Sequence, residues 1–63
     1  MTRQESSALN MAKFIRAQSL LLLEKLDLLN LDDEAATCER LHDLAETLYQ
    51  TLTERLEQNS GGV

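Results

Sequence analysis

Few side chains in this sequence are of the types that perform chemistry. Cys38 and His42 stand four residues apart, so on a helix they share a face and could ligate a metal ion together. Cys38 also falls on the apolar pattern of the chain, and a small buried side chain is its better interpretation. Tyr49 is likewise better interpreted as a packing residue than as a catalytic acid. Because the sequence has neither a Ser/His/Asp arrangement nor a glycine-rich phosphate loop, we expect no enzymatic activity, small-molecule substrate, cofactor or bound metal.

A second group of residues has the chemistry of nucleic-acid contact. At about 100° per residue, one side of a first helix collects five residues that we call the outer strip: Arg3, Asn10, Phe14, Gln18 and Lys25. Lys13 and Arg16 flank this strip on its other side. Cations contact phosphates, amides bond to sugar hydroxyls or base edges, and an exposed ring stacks on bases. The alternative, that Phe14 covers the flank of a bundle among solvated charges, stays open on periodicity alone.

The element that carries the strip is a helix predicted at about residues 3–29. Thr2 and Glu5 form a T-x-x-E capping box at its start. Apolar residues then recur at alternating spacings of three and four, as in a packed helical seam. This seam consists of Ala8, Ala12, Ile15, Leu22, Leu26 and Leu29, with Ser19 on the same line.

A turn at about residues 30–32 separates the first helix from a second. Asn30 tolerates the left-handed conformation that ends many helices, and Asp32 is a suitable cap for the next one. The second helix is predicted at about residues 33–57, with a seam of Ala35, Cys38, Leu41, Ala45, Leu48 and Leu52. Residues 59–63 are expected to be a disordered tail.

The short turn predicts an all-α fold in which residues 1–58 form one helical hairpin of two antiparallel helices. A chain of 63 residues leaves about 40% of its unfolded surface exposed, so a lone hairpin is marginally stable. One cysteine excludes an internal disulfide framework. We therefore expect a homodimer, in which two hairpins close their seams as an antiparallel four-helix bundle.

Charge is distributed unevenly over a chain whose net charge is −5. Residues 1–29 carry four basic and three acidic side chains, whereas residues 30–63 carry two basic and eight acidic ones. An anionic partner should therefore meet the first helix. The longest apolar run, residues 20–23, is too short for a membrane span, and no signal peptide is visible. We expect a cytoplasmic protein that does not bind membranes.

One segment closely resembles the first helix of the Rop (Rom) family. It consists of residues 8–16, Ala-Leu-Asn-Met-Ala-Lys-Phe-Ile-Arg, followed by Gln18. The match continues without gaps through residues 22–26, Cys38-Glu39, residues 41–43 and Leu48-Tyr49. This resemblance implies a homodimeric four-helix bundle, a fold for which the family is a known example. It also implies an RNA-binding regulator that stabilises the loop–loop complex of an antisense RNA and a replication primer RNA, which lowers plasmid copy number.

The resemblance further implies RNA-binding residues on the first helix. Asn10, Phe14, Gln18 and Lys25 match the family pattern, as does Arg16 as a phosphate contact. Arg3 stands where the family has lysine, and Lys13 stands where the family has arginine, so both positions keep their positive charge. Departures from the family include Leu21, which lies inside the outer strip at a position where the family is polar.

The alternative function is a non-enzymatic helical oligomerisation or protein-binding module. Leu20, Leu21 and Leu28 favour it, because they enlarge the apolar surface of the first helix beyond the seam. RNA binding through phosphates weakens steeply with salt, whereas a partner docked on leucines is nearly indifferent to it.

Overall fold

The protein is an all-α helical hairpin, as predicted. The computed structural model describes residues 1–61, with side chains through residue 57. Helix α1 spans Arg3–Leu28 and helix α2 spans Asp32–Gly61. The two helices pack against each other in a rod of 50 × 16 × 10 Å.

The start of α1 is fixed by the capping box that the sequence predicts. The backbone N–H of Glu5 donates to Thr2 Oγ1 at 3.1 Å, and the backbone N–H of Thr2 donates to Glu5 Oε1 at 2.8 Å. These bonds to Thr2 hold the pKa of the exposed Glu5 carboxyl below its ordinary value. Since a lowered carboxyl pKa stabilises the fold only while the group is ionised, this contribution is lost as the pH falls through the lowered pKa.

The turn between the helices is a complete Schellman motif. Asn30 has a φ of 58°, in the left-handed region. Its N–H donates to the carbonyl of Asp27, and the N–H of Leu31 donates to the carbonyl of Leu26, both at 3.1 Å. The left-handed conformation expected at Asn30 is therefore confirmed, and it reverses the chain within three residues.

Helix α2 differs from its predicted description at both ends. Asp32 is the first residue of the helix rather than the cap before it, because the carbonyl of Leu31 already accepts the N–H of Ala35 at 2.8 Å. At the other end, the backbone stays helical to Gly61, beyond the expected end at residue 57, since no proline or internal glycine interrupts it. The expectation of a disordered tail falls at residues 62 and 63 outside the described residues.

Most of the residues buried between the two helices are small. Ala12 and Ser19 of α1 are buried against α2, whose buried residues along the interface are Ala35, Cys38, Ala45 and Leu56. Among the described residues, no large side chain is fully buried. The buried core of the hairpin alone is therefore thin and consists mostly of small residues.

A polar network fixes the register of α1 against α2. Ser19 Oγ donates to the carbonyl of Arg16 at 2.8 Å and lies 2.8 Å from His42 Nδ1. Because the single hydroxyl hydrogen of Ser19 is used in the first bond, Nδ1–H of His42 is the donor in the second. Cys38 Sγ donates to the carbonyl of Ser19 at 3.4 Å. Cys38 and His42 therefore serve the hairpin interface.

Four large apolar side chains remain half exposed on one side of the hairpin. We call Ile15, Leu22, Leu41 and Leu48 the open apolar face, and they are 45–54% exposed. The sequence places them in the same two seams as the buried small residues, but the structure separates each seam into two rows. One row packs within the hairpin, and the other faces outward beside it.

Candidate nucleic-acid interface

The outer strip lies on the exposed side of α1, next to the open apolar face. All five of its residues are exposed. Around the axis of α1, the hairpin interface at Ala12 is followed by Ile15 and Leu22 of the open apolar face, about 70° away. The outer strip comes next and faces away from α2. The capping box and the Schellman turn hold this strip on a continuous helix of 26 residues.

Phe14 and Gln18 join the strip to the open apolar face. Both line a shallow groove together with Ile15, Leu22 and Leu41. Phe14 nevertheless stays 63% exposed, and its outer surface is available to a planar ligand. The ring therefore stands at the border between an apolar surface and a polar one.

The electrostatic character of the strip is cationic. Arg3 and Lys25 are its charged members, and the three carboxylates of α1 lie elsewhere around the helix, at Glu5, Glu24 and Asp27. Exposed acidic residues instead occupy the outer side of α2: Asp32, Glu39, Asp43, Glu54 and Glu57. An anionic ligand is consequently attracted to the strip and repelled by the far side of the hairpin.

The two cations expected to flank the strip, Lys13 and Arg16, differ in their placement. Lys13 is exposed, but it lies about 60° further around α1 from Asn10. Arg16 is half buried and stacks over the ring of Tyr49 of α2, with 4.7 Å between its guanidinium carbon and the ring centroid. This cation–π contact holds Arg16 on the flank of the hairpin interface. The structure thus brings together Arg3, Asn10, Phe14, Gln18 and Lys25, but not Arg16.

Two leucines also lie on the strip. Leu21 falls between Phe14 and Lys25, and Leu28 closes the strip at the end of α1. Leu21 stands seven residues and Leu28 fourteen residues after Phe14, and this spacing is the sequence signal for their position. The sequence already places Leu21 inside the strip, whereas the apolar type of both leucines favours a protein-binding surface.

The structure offers other kinds of site little support. Over residues 1–57, no three His, Cys, Asp or Glu side chains form a group that could hold a metal ion. Neither helix, as far as it is described, has a stretch long and apolar enough to cross a membrane.

Comparison with known proteins identifies relatives over almost the whole chain. A model of the family described as Rop protein matches residues 1–57. The regulatory protein rop of Escherichia coli is 56% identical to this chain over 55 residues, which cover 87% of each protein. The resemblance found in the sequence is thereby confirmed.

Proposed function

Since this chain belongs to the Rop family, we propose that it is a regulatory protein that binds RNA through the outer strip of α1. Its ligand is a pair of RNA hairpins joined through their loops, formed by an antisense RNA and a replication primer RNA. Stabilising this complex lowers plasmid copy number, and the protein acts in the cytoplasm. The observation that carries the proposal is the exposed, carboxylate-free strip of Arg3, Asn10, Phe14, Gln18 and Lys25.

The proposed active form is a homodimer. Ile15, Leu22, Leu41 and Leu48 are half exposed in the hairpin, and a second copy that packs on them buries this apolar surface. Because the outer strip borders the open apolar face on α1, packing α1 of one copy beside α1 of the other places two strips next to each other. The pair then offers one cationic face long enough to span two RNA hairpins.

The mechanism needs binding alone and no chemical step. Arg3 and Lys25 neutralise phosphates, with exposed Lys13 as a further phosphate contact at the margin. Asn10 and Gln18 bond to sugar hydroxyls or base edges, and Phe14 packs on a base or ribose. Arg16 reaches a phosphate only by leaving its contact with Tyr49, so its contribution is secondary. A protein that binds the joined hairpins better than the separate ones shifts their pairing equilibrium by mass action.

A gel-shift titration tests the proposal and separates it from the alternative. We expect tighter binding to a loop-paired complex of two RNA hairpins than to either hairpin alone. If several phosphates are neutralised, the affinity falls by at least about tenfold between about 50 and 200 mM salt. A preparation that does not bind RNA would contradict the proposal, and oligomers insensitive to salt would then favour an oligomerisation or protein-binding module.

A further inference from the structure

Three large apolar side chains form a straight row along the outer strip. Phe14, Leu21 and Leu28 follow one another at intervals of seven residues, so they lie at almost the same angle around α1. They are 63%, 49% and 83% exposed, respectively. An exposed leucine is unremarkable singly, but three aligned apolar residues on the surface of one helix indicate a contact surface.

The surroundings of the row are polar, with the cation Lys25 on one side and one exposed carboxylate, Glu24, on the other. Gln18 and Lys25 stand between its members along the helix, and Asn10 precedes them. All three are exposed and belong to the outer strip. A ligand that covers the row must therefore accept apolar contacts, amide hydrogen bonds and cations on the same surface, which is the combination offered by unpaired nucleotides.

We propose that Leu21 and Leu28 extend the RNA contact of Phe14 and make the protein selective for unstacked bases in the joined loops. This inference rests on the proposed function and adds residues and a ligand feature to it. At a rise of about 1.5 Å per residue, successive members of the row are about 10 Å apart. Each apolar side chain accordingly packs on the base or ribose of a different nucleotide, while Gln18 and Lys25 contact the backbone between them.

Charge and shape favour RNA over a further copy of the chain on this row. Two outer strips in contact would bring Arg3 and Lys25 of one copy close to the same cations of another. The acidic outer side of α2 attracts those cations, but Arg40 lies among its carboxylates, and Leu44, which is 69% exposed, stands alone at its margin. This side therefore offers a single leucine and no apolar row to match the leucines of α1.

The test compares Leu21→Gln and Leu28→Gln with the unchanged protein on two RNA probes. Glutamine keeps the helix propensity of leucine and removes its apolar contact. The probes are a loop-paired complex of two hairpins and a continuous A-form duplex of similar length. We expect each variant to lose about three- to tenfold in affinity for the loop-paired complex. Affinity for the duplex and the salt dependence of binding should both stay unchanged.

Leu20→Gln is the matched control, since Leu20 is 45% exposed on a different side of α1. It should leave the preference for the loop-paired complex intact. Equal affinities of all variants and the unchanged protein for the loop-paired complex would overturn the inference while leaving the proposed function standing. A smaller particle mass of a variant that combines Leu21→Gln and Leu28→Gln, with RNA affinity unchanged, would show that the row joins protein copies instead. Failure of the unchanged protein to bind either probe would reject the proposed function itself.

Discussion

At the scale of single residues, function depends on exposure more than on residue type. Arg16 and Lys25 are both cations of α1, but Arg16 stacks on Tyr49 within the hairpin, whereas Lys25 is exposed on the outer strip. Phe14 is aromatic and still mostly exposed, although aromatic side chains usually contribute large buried areas to protein cores. The proposed RNA contact consequently relies on residues that the fold does not need.

Phe14→Ala tests this separation of binding from folding. We expect the affinity for the loop-paired RNA complex to fall by about tenfold or more, because stacking on a base contributes about 1–3 kcal/mol. The free energy of unfolding should change by less than about 0.5 kcal/mol, since the ring is mostly exposed. Fluorescence anisotropy with labelled RNA and thermal unfolding measure the two quantities, and Leu20→Ala serves as control. A large loss of stability with full RNA binding would make Phe14 a packing residue.

At the scale of the helices, the sequence predicts the helix ends better than it predicts the packing between helices. The capping box at Thr2 and Glu5 and the left-handed turn at Asn30 depend on neighbouring residues, and both occur as expected. Whether an apolar residue packs within the hairpin or stays exposed depends on which part of the other helix lies opposite it. A three–four spacing shows that Ala12, Ile15, Ser19 and Leu22 share one side of a helix, but not that only Ala12 and Ser19 face the partner helix.

The network around Ser19 gives the prediction that belongs to this scale. Ser19→Ala removes the hydroxyl that receives the His42 Nδ1–H bond at 2.8 Å. We expect a loss of about 1 kcal/mol in the free energy of unfolding per chain, because the weaker contact of Nδ1 with the carbonyl of Arg16, at 3.2 Å, remains. Ser7→Ala, an exposed change on the same helix, should stay within about 0.5 kcal/mol. Urea unfolding measures both variants, and equal effects would show that the network adds nothing to stability.

At the scale of the whole molecule, the hairpin divides its surface by chemistry. The outer strip is cationic, the outer side of α2 is acidic, and the open apolar face lies between the two helices on one side. The charge balance of the two halves of the sequence predicts the first two features. The third depends on which half of each seam the hairpin covers, so the surface proposed for the second copy becomes visible only in the structure.

The central claim is that two copies of the chain present adjoining strips to one pair of RNA hairpins. Native mass spectrometry of the chain mixed with two loop-paired RNA hairpins tests this claim most directly. We expect a single main species with two protein chains and two RNA hairpins. Without RNA, the protein should remain a dimer. A complex with one chain per RNA pair, or a protein dimer that leaves the RNA pair unbound, would contradict the account.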